Sequence, residues 1–148
     1  MRSAFGAMAI LWAIAIVAAT WVASRPHPGT AAYTLAFGIY GTASWICHQR
    51  PERSFYLWAM QMPVCARCTG IYFGAAAMAL GLLARRQPSA SISAHRARIV
   101  FGIAAVPTAA TLLFEWTRGT MPANVVRALA GVALGAAIAW IVNRAEVN

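Results

Sequence analysis

Long apolar runs separated by short polar clusters dominate the chain, and their lengths predict helices that cross a membrane. Residues 5–23 form the first run; at about 1.5 Å per residue it nearly spans a hydrocarbon core about 30 Å thick. Arg25-Pro26-His27-Pro28-Gly29 then reads as a turn, because two prolines and a glycine cannot continue a helix. A second, shorter helix is predicted over 30–46, ending beside Trp45. From Cys47 to Met62 the pattern is irregular, and Phe55-Tyr56-Leu57-Trp58 is expected to form a short helix lying in the interface. Pro63 suits the first turn of a third helix over 64–84. A loop at 85–98 with Pro88 and several serines precedes a fourth helix over 99–116. This helix contains Pro107 and should carry a kink or a freed carbonyl that its neighbours accommodate. After a turn at 117–123, Asn124 is the expected N-cap of a fifth helix over 124–142. The expected fold is an all-α bundle of five spanning helices in a single transmembrane domain covering residues 1–148.

The first run partly mimics a secretion signal. Its apolar stretch is longer than the usual h-region of about 7–15 residues, and further apolar segments follow. It reads as a spanning helix; cleavage would leave four. Gly70/Gly74 and Gly131/Gly135 each place two glycines on one helix face and predict close helix contact.

Composition reinforces the membrane reading. Apolar residues make up 61% of the chain and mean hydropathy is +0.63, above the roughly 45–50% apolar share of soluble domains. The acidic residues are Glu52, Glu115 and Glu146; lysine is absent, and twelve arginines produce a formal charge of +9. In a soluble protein that charge would indicate nucleic acid. Here the arginines flank apolar runs, where they reach lipid headgroups, so the expected partners are the bilayer and its anionic lipids, not nucleic acid. A homo-oligomer or a protein partner is compatible with this pattern. Trp21, Trp45, Trp58, Trp116 and Trp140 fall near helix ends, as an interfacial belt requires. The expected location is a bacterial inner membrane.

Five crossings place the N-terminus, the 47–62 loop and the 117–123 loop on one side. That side holds Arg2, Arg50, Arg53, Arg67, Arg118 and Arg127, against Arg25, Arg85, Arg86, Arg96, Arg98 and Arg144 on the other. The numbers are equal, but residues 85–98 hold four arginines and no carboxylate, a cytoplasmic signature. The N-terminus is therefore expected outside and the C-terminus in the cytoplasm.

The same topology gathers the chemistry at one end. Residues 47–72 carry Cys47, His48, Gln49, Arg50, Glu52, Arg53, Cys65, Arg67 and Cys68; Glu115, Asn124 and Arg127 join them from the later helices. Cys65-Ala-Arg-Cys68 puts two thiols on one helix face. With Cys47 and His48 they make a Cys₃His set suited to tetrahedral Zn²⁺, although adjacent ligands are geometrically demanding. Alternatively, Cys65 and Cys68 are a thiol–disulfide pair, activated by a helix N-terminus and Arg67, or the three thiols simply pack. Glu115 is expected to pair with Arg118 or Arg127. Arg50, Arg53, Arg67, Glu115, Asn124 and Arg127 form a candidate anion-binding group, because arginine matches paired oxygens. His27 and His95 read as ordinary interfacial residues. A closed four-ligand site is structural, which points away from an enzyme. A transporter component is a further alternative, with neither an inverted repeat nor a mid-membrane charge to favour it.

Cys47-His48-Gln49, Arg53-Ser54-Phe55 and the run Pro63-Val-Cys-Ala-Arg-Cys-Thr-Gly-Ile-Tyr-Phe-Gly74 resemble the domain of unknown function 2085 family, small prokaryotic multi-pass membrane proteins. The resemblance extends through Pro107, Asn124, Arg127 and Gly131 to about Gly135. It departs from the family where many members have an Asp-Gly dipeptide and a glutamine, since this chain has no aspartate and runs from Thr108 to Glu115 there. The resemblance implies joint importance for Cys47, His48, Cys65 and Cys68 and supplies no reaction.

Overall fold

The five expected helices all form. The computed structural model describes residues 2–85 and 91–144 and contains α1 (Arg2–Ala23), α2 (Thr30–Ile46), α3 (Ala66–Arg85), α4 (Ala94–Arg118) and α5 (Asn124–Arg144). Arg86, Pro88 and Glu146 lie outside the described residues. Helix α4 begins five residues earlier than the hydropathy pattern indicates. Ser93 caps it by accepting the Arg96 N–H, so Arg96 and Arg98 belong to its first turns and not to a loop. The helix runs through Pro107 and ends at Gly119, whose φ of 64° suits a glycine C-cap.

Helices α3 and α5 form the closest pair, and they run parallel. A Cβ on Gly70 would collide with the Ala128 carbonyl and one on Gly74 with the Val132 carbonyl; Gly131 and Gly135 face the Arg67 and Ile71 carbonyls in return. Each partner advances four residues in the same direction. The two glycine pairs therefore serve contact within the chain, where absent side chains let backbones touch. Helix α4 returns antiparallel beside α5, tied by a hydrogen bond from Thr108 Oγ1 to the Ala130 carbonyl.

Helix α1 runs antiparallel to α3. Gly6 lies against Ala79, and the Trp12 ring meets Tyr72 edge-on with centroids 6.0 Å apart. Five full crossings would make these two helices parallel, so α2 does not complete one. Four helices are long and apolar enough to span a membrane; α2, with 17 residues, is not among them. It doubles back along α1: Ala43 packs in one cluster with Ile16, and Ile46 lies near Trp12, midway along α1. The start of α1 consequently shares a bundle end with the last turns of α3 and α5, where Phe5 and Gly6 line one cavity with Leu82, Leu83 and Asn143. Five full crossings would instead have put the start of α1 beside the start of α3.

The segment from Pro51 to Cys65 is not helical beyond one 3₁₀ turn, Pro51–Arg53. Strands β1 (Ser54–Leu57) and β2 (Met60–Cys65) pair antiparallel, with Leu57 opposite Met60 and Tyr56 opposite Gln61. Trp58 and Ala59 make the turn with φ of 52° and 61°, left-handed values that suit the twist of a two-residue hairpin. Phe55-Tyr56-Leu57-Trp58 was expected as an interfacial helix. Four residues cannot nucleate one alone, whereas a hairpin pairs the backbone groups that an apolar setting leaves without water. Pro63 sits in β2 beside a register irregularity, not in the first turn of α3; lacking an N–H, it fits where the ladder is interrupted. Met62 and Val64 are buried from this strand and pack with Ile16, Ala43 and Cys47, joining the hairpin to α1 and α2.

Candidate functional site

The parallel pairing of α3 and α5 brings their N-termini side by side, and the hairpin closes over them. Two positive helix ends thus meet at one place. Cys65 closes β2 immediately before α3, Cys68 lies in the first turn of α3, and Cys47 follows the last residue of α2. Their three Sγ atoms all lie within 4.8 Å of one another. The Cys65 backbone N–H donates to Cys47 Sγ across 3.1 Å. All three are free cysteines. Hydrogen bonds from the Cys65 and Cys68 thiols, with the backbone N–H groups of Cys65 and Gln49 adding to them, hold the Cys47 thiol well below its ordinary range. Burial opposes this and is outweighed.

His48 does not join this cluster. Cys47 has extended backbone (φ −144°, ψ 136°), in which consecutive side chains point to opposite sides, and His48 is exposed. Gln49, at a left-handed φ of 47°, turns the chain back. Its side-chain amide donates to the Tyr40 and Pro63 carbonyls at 2.9 and 2.8 Å, while Gln61 Nε2 donates to the Gln49 carbonyl at 2.6 Å. The Tyr40 hydroxyl donates to the Gln61 carbonyl at 2.6 Å. These bonds hold Cys47 in place. Tyr40 and Gln61 escape a reading of the chain by motif, because each is an ordinary residue within an apolar stretch. The seven-residue step from Tyr40 to Cys47, two turns along one helix face, is the signal that was there to find.

A second cluster adjoins the thiols. Glu115, near the end of α4, has a buried side chain facing three arginines. Arg127 Nε lies 3.1 Å from Oε1, Arg67 Nη2 3.4 Å from Oε1, and Arg53 Nη1 3.9 Å from Oε2. Arg67 Nη2 also donates to Thr111 Oγ1, one turn before Glu115 on α4. Of the two partners expected for Glu115, Arg127 is correct; Arg118 is exposed and makes no ion pair with it among the described residues. Arg50 takes no part and instead faces Glu52 at 3.9 Å, both being well exposed. A pair of that kind contributes at most about 1 kcal/mol. Asn124 is the first residue of α5 and not its expected N-cap, the Arg127 N–H bonding back to the Ala123 carbonyl; its side chain donates instead to the Ser54 carbonyl at 3.1 Å, pinning the hairpin to α5.

Four membrane-length apolar helices, with a sulfur triad and a buried arginine–glutamate cluster at one bundle end, define a polytopic membrane protein. The family described as "Predicted membrane protein (DUF2085)" matches residues 47–141, and the chain belongs to it. An uncharacterized protein of Methanocaldococcus jannaschii is 56% identical over 36 residues, 24% of this chain and 23% of that protein. An uncharacterized protein of Methanothermobacter thermautotrophicus is 58% identical over 31 residues, covering 21% of this chain and 28% of the relative. The chain thus matches less than a third of the length of either relative. No solved structure matches it.

Proposed function

We propose that this protein binds a thiophilic metal ion, Zn²⁺ in the first instance, through Cys47, Cys65 and Cys68, and serves as an accessory protein of the cytoplasmic membrane. The observation that carries the reading is the convergence of three sulfurs from separate parts of the chain to within 4.8 Å of one another. Zn–S bonds of about 2.3 Å put tetrahedral thiolates about 3.8 Å apart, so small side-chain adjustments would suffice. The two helix N-termini beside the sulfurs favour the thiolate form that a metal requires. Three protein ligands leave a fourth position for water or an exchangeable group, unlike the closed Cys₃His set expected from spacing. The acid-free arginines of 85–98 favour a cytoplasmic location for that bundle end, with the sulfur triad on the opposite face.

Elemental analysis and thiol titration on one detergent-purified preparation test the proposal. About one equivalent of metal is expected, with thiols masked until chelation and the metal lost in Cys65→Ser. Less than about 0.3 equivalent, unchanged by that substitution, overturns it.

The CxxC pair at a helix N-terminus supports a second reading as a thiol–disulfide couple. Oxidation of the two thiols of Cys65 and Cys68 to a disulfide would pass two electrons and two protons to a partner disulfide, which becomes a dithiol. Thiol labelling before and after reduction separates the two: a reducible Cys65–Cys68 bond without metal favours this couple.

A further inference from the structure

Among Arg53, Arg67, Arg127 and Glu115 positive charge exceeds negative charge, and the adjoining cysteine sulfurs offset only part of it. Arg53, Arg67 and Arg127 contribute three positive charges and Glu115 one negative charge, and guanidinium does not shed its proton in proteins. Arg127 is only 1% exposed. Arg127 Nε and Nη1, Arg67 Nε and Arg53 Nε are buried nitrogens without a hydrogen-bond partner among the described residues. Arg127 Nε is close to Glu115 but outside hydrogen-bonding geometry. Unmatched donors on a buried cation are costly, and the N-termini of α3 and α5 add further positive potential at the same place.

From this we infer that Arg53, Arg67 and Arg127 form a binding site for an oxyanion, a phosphate group or a similar ligand with paired oxygens. Glu115 is the resident carboxylate that holds the guanidiniums together and competes with the ligand. The fork of an arginine matches two oxygens, and all three already converge on a carboxylate, an oxyanion of related shape. Access is from the hairpin side, where the Arg53 side chain is 33% exposed, against 14% for Arg67 and 1% for Arg127. The site uses neither Arg50 nor Asn124, and it does not depend on metal binding by the cysteines.

The test uses full-length, chelator-treated protein. Inorganic phosphate is titrated by calorimetry in non-ionic detergent, and phospholipid retention is read by native mass spectrometry after incorporation into bilayers of phosphatidylglycerol or phosphatidylcholine. Saturable phosphate binding identifies a free anion as the source; selective retention of phosphatidylglycerol identifies a lipid headgroup. Arg53→Gln, partly exposed and tolerable to the fold, should weaken either by about tenfold, the loss of one charge-assisted contact. Glu115→Gln removes the competitor and should tighten binding severalfold, provided that the folded variant is recovered. Binding of neither probe overturns the inference. So does binding indifferent to Arg53→Gln, or weakened in folded Glu115→Gln.

Discussion

The backbone N–H of Cys65 donates to the sulfur of Cys47 at 3.1 Å, across 18 residues of sequence. This bond joins the end of the half-crossing helix α2 to the start of α3, and it fixes which way Cys47 faces. Cys47 turns inward to the other two thiols and His48 turns outward.

Metal content should follow that division. Cys47→Ser should reduce bound metal to less than about half of the wild-type content, because two thiolates remain of three. His48→Ala should leave it unchanged. Elemental analysis of the two variants side by side checks this; metal loss in His48→Ala would restore the four-ligand set.

Contact between α3 and α5 depends on glycine. Gly135→Ala places a Cβ against the Ile71 carbonyl, a backbone atom that cannot move aside. The cost should be about 1–3 kcal/mol or more, seen as a lower melting temperature in detergent. Gly41→Ala is the control: it lies in α2 with nothing within 4 Å, and should be neutral or stabilising by up to about 1 kcal/mol. Equal melting temperatures for the two variants would contradict the close approach of α3 and α5.

The antiparallel run of α1 and α3 makes a topological prediction. Reporter fusions at the N-terminus and at the C-terminus should be active in the same compartment, and a cysteine placed at His27 should label from the opposite side. Reporters active in opposite compartments would mean that α2 crosses fully.

The hairpin turn offers a gain of stability. Ala59 adopts a φ of 61°, a region that costs an L-residue with a Cβ about 1 kcal/mol and glycine almost nothing. Ala59→Gly should therefore raise the melting temperature, by about 2–4 °C for a chain of this size. A fall would mean that the turn is not left-handed.

Much of this protein was legible in its chain. Run length and hydropathy determine helices, because a helix satisfies its own backbone in lipid and needs only enough apolar residues in a row. The small-residue spacing of Gly70, Gly74, Gly131 and Gly135 announced close contact, and the shared end for the cysteines, Arg67, Glu115 and Arg127 followed from connectivity. Tertiary structure decided the rest. The chain alone could not tell a full crossing from a half crossing at 30–46, since that depends on what α1 and the hairpin pack against. Nor could it show that Arg127 meets Glu115 while Arg118 does not, or that His48 leaves the thiol cluster. Those outcomes rest on backbone direction at Cys47 and on the parallel approach of two helices some sixty residues apart in sequence. Local sequence sets which elements form, and only their packing sets which side chains meet.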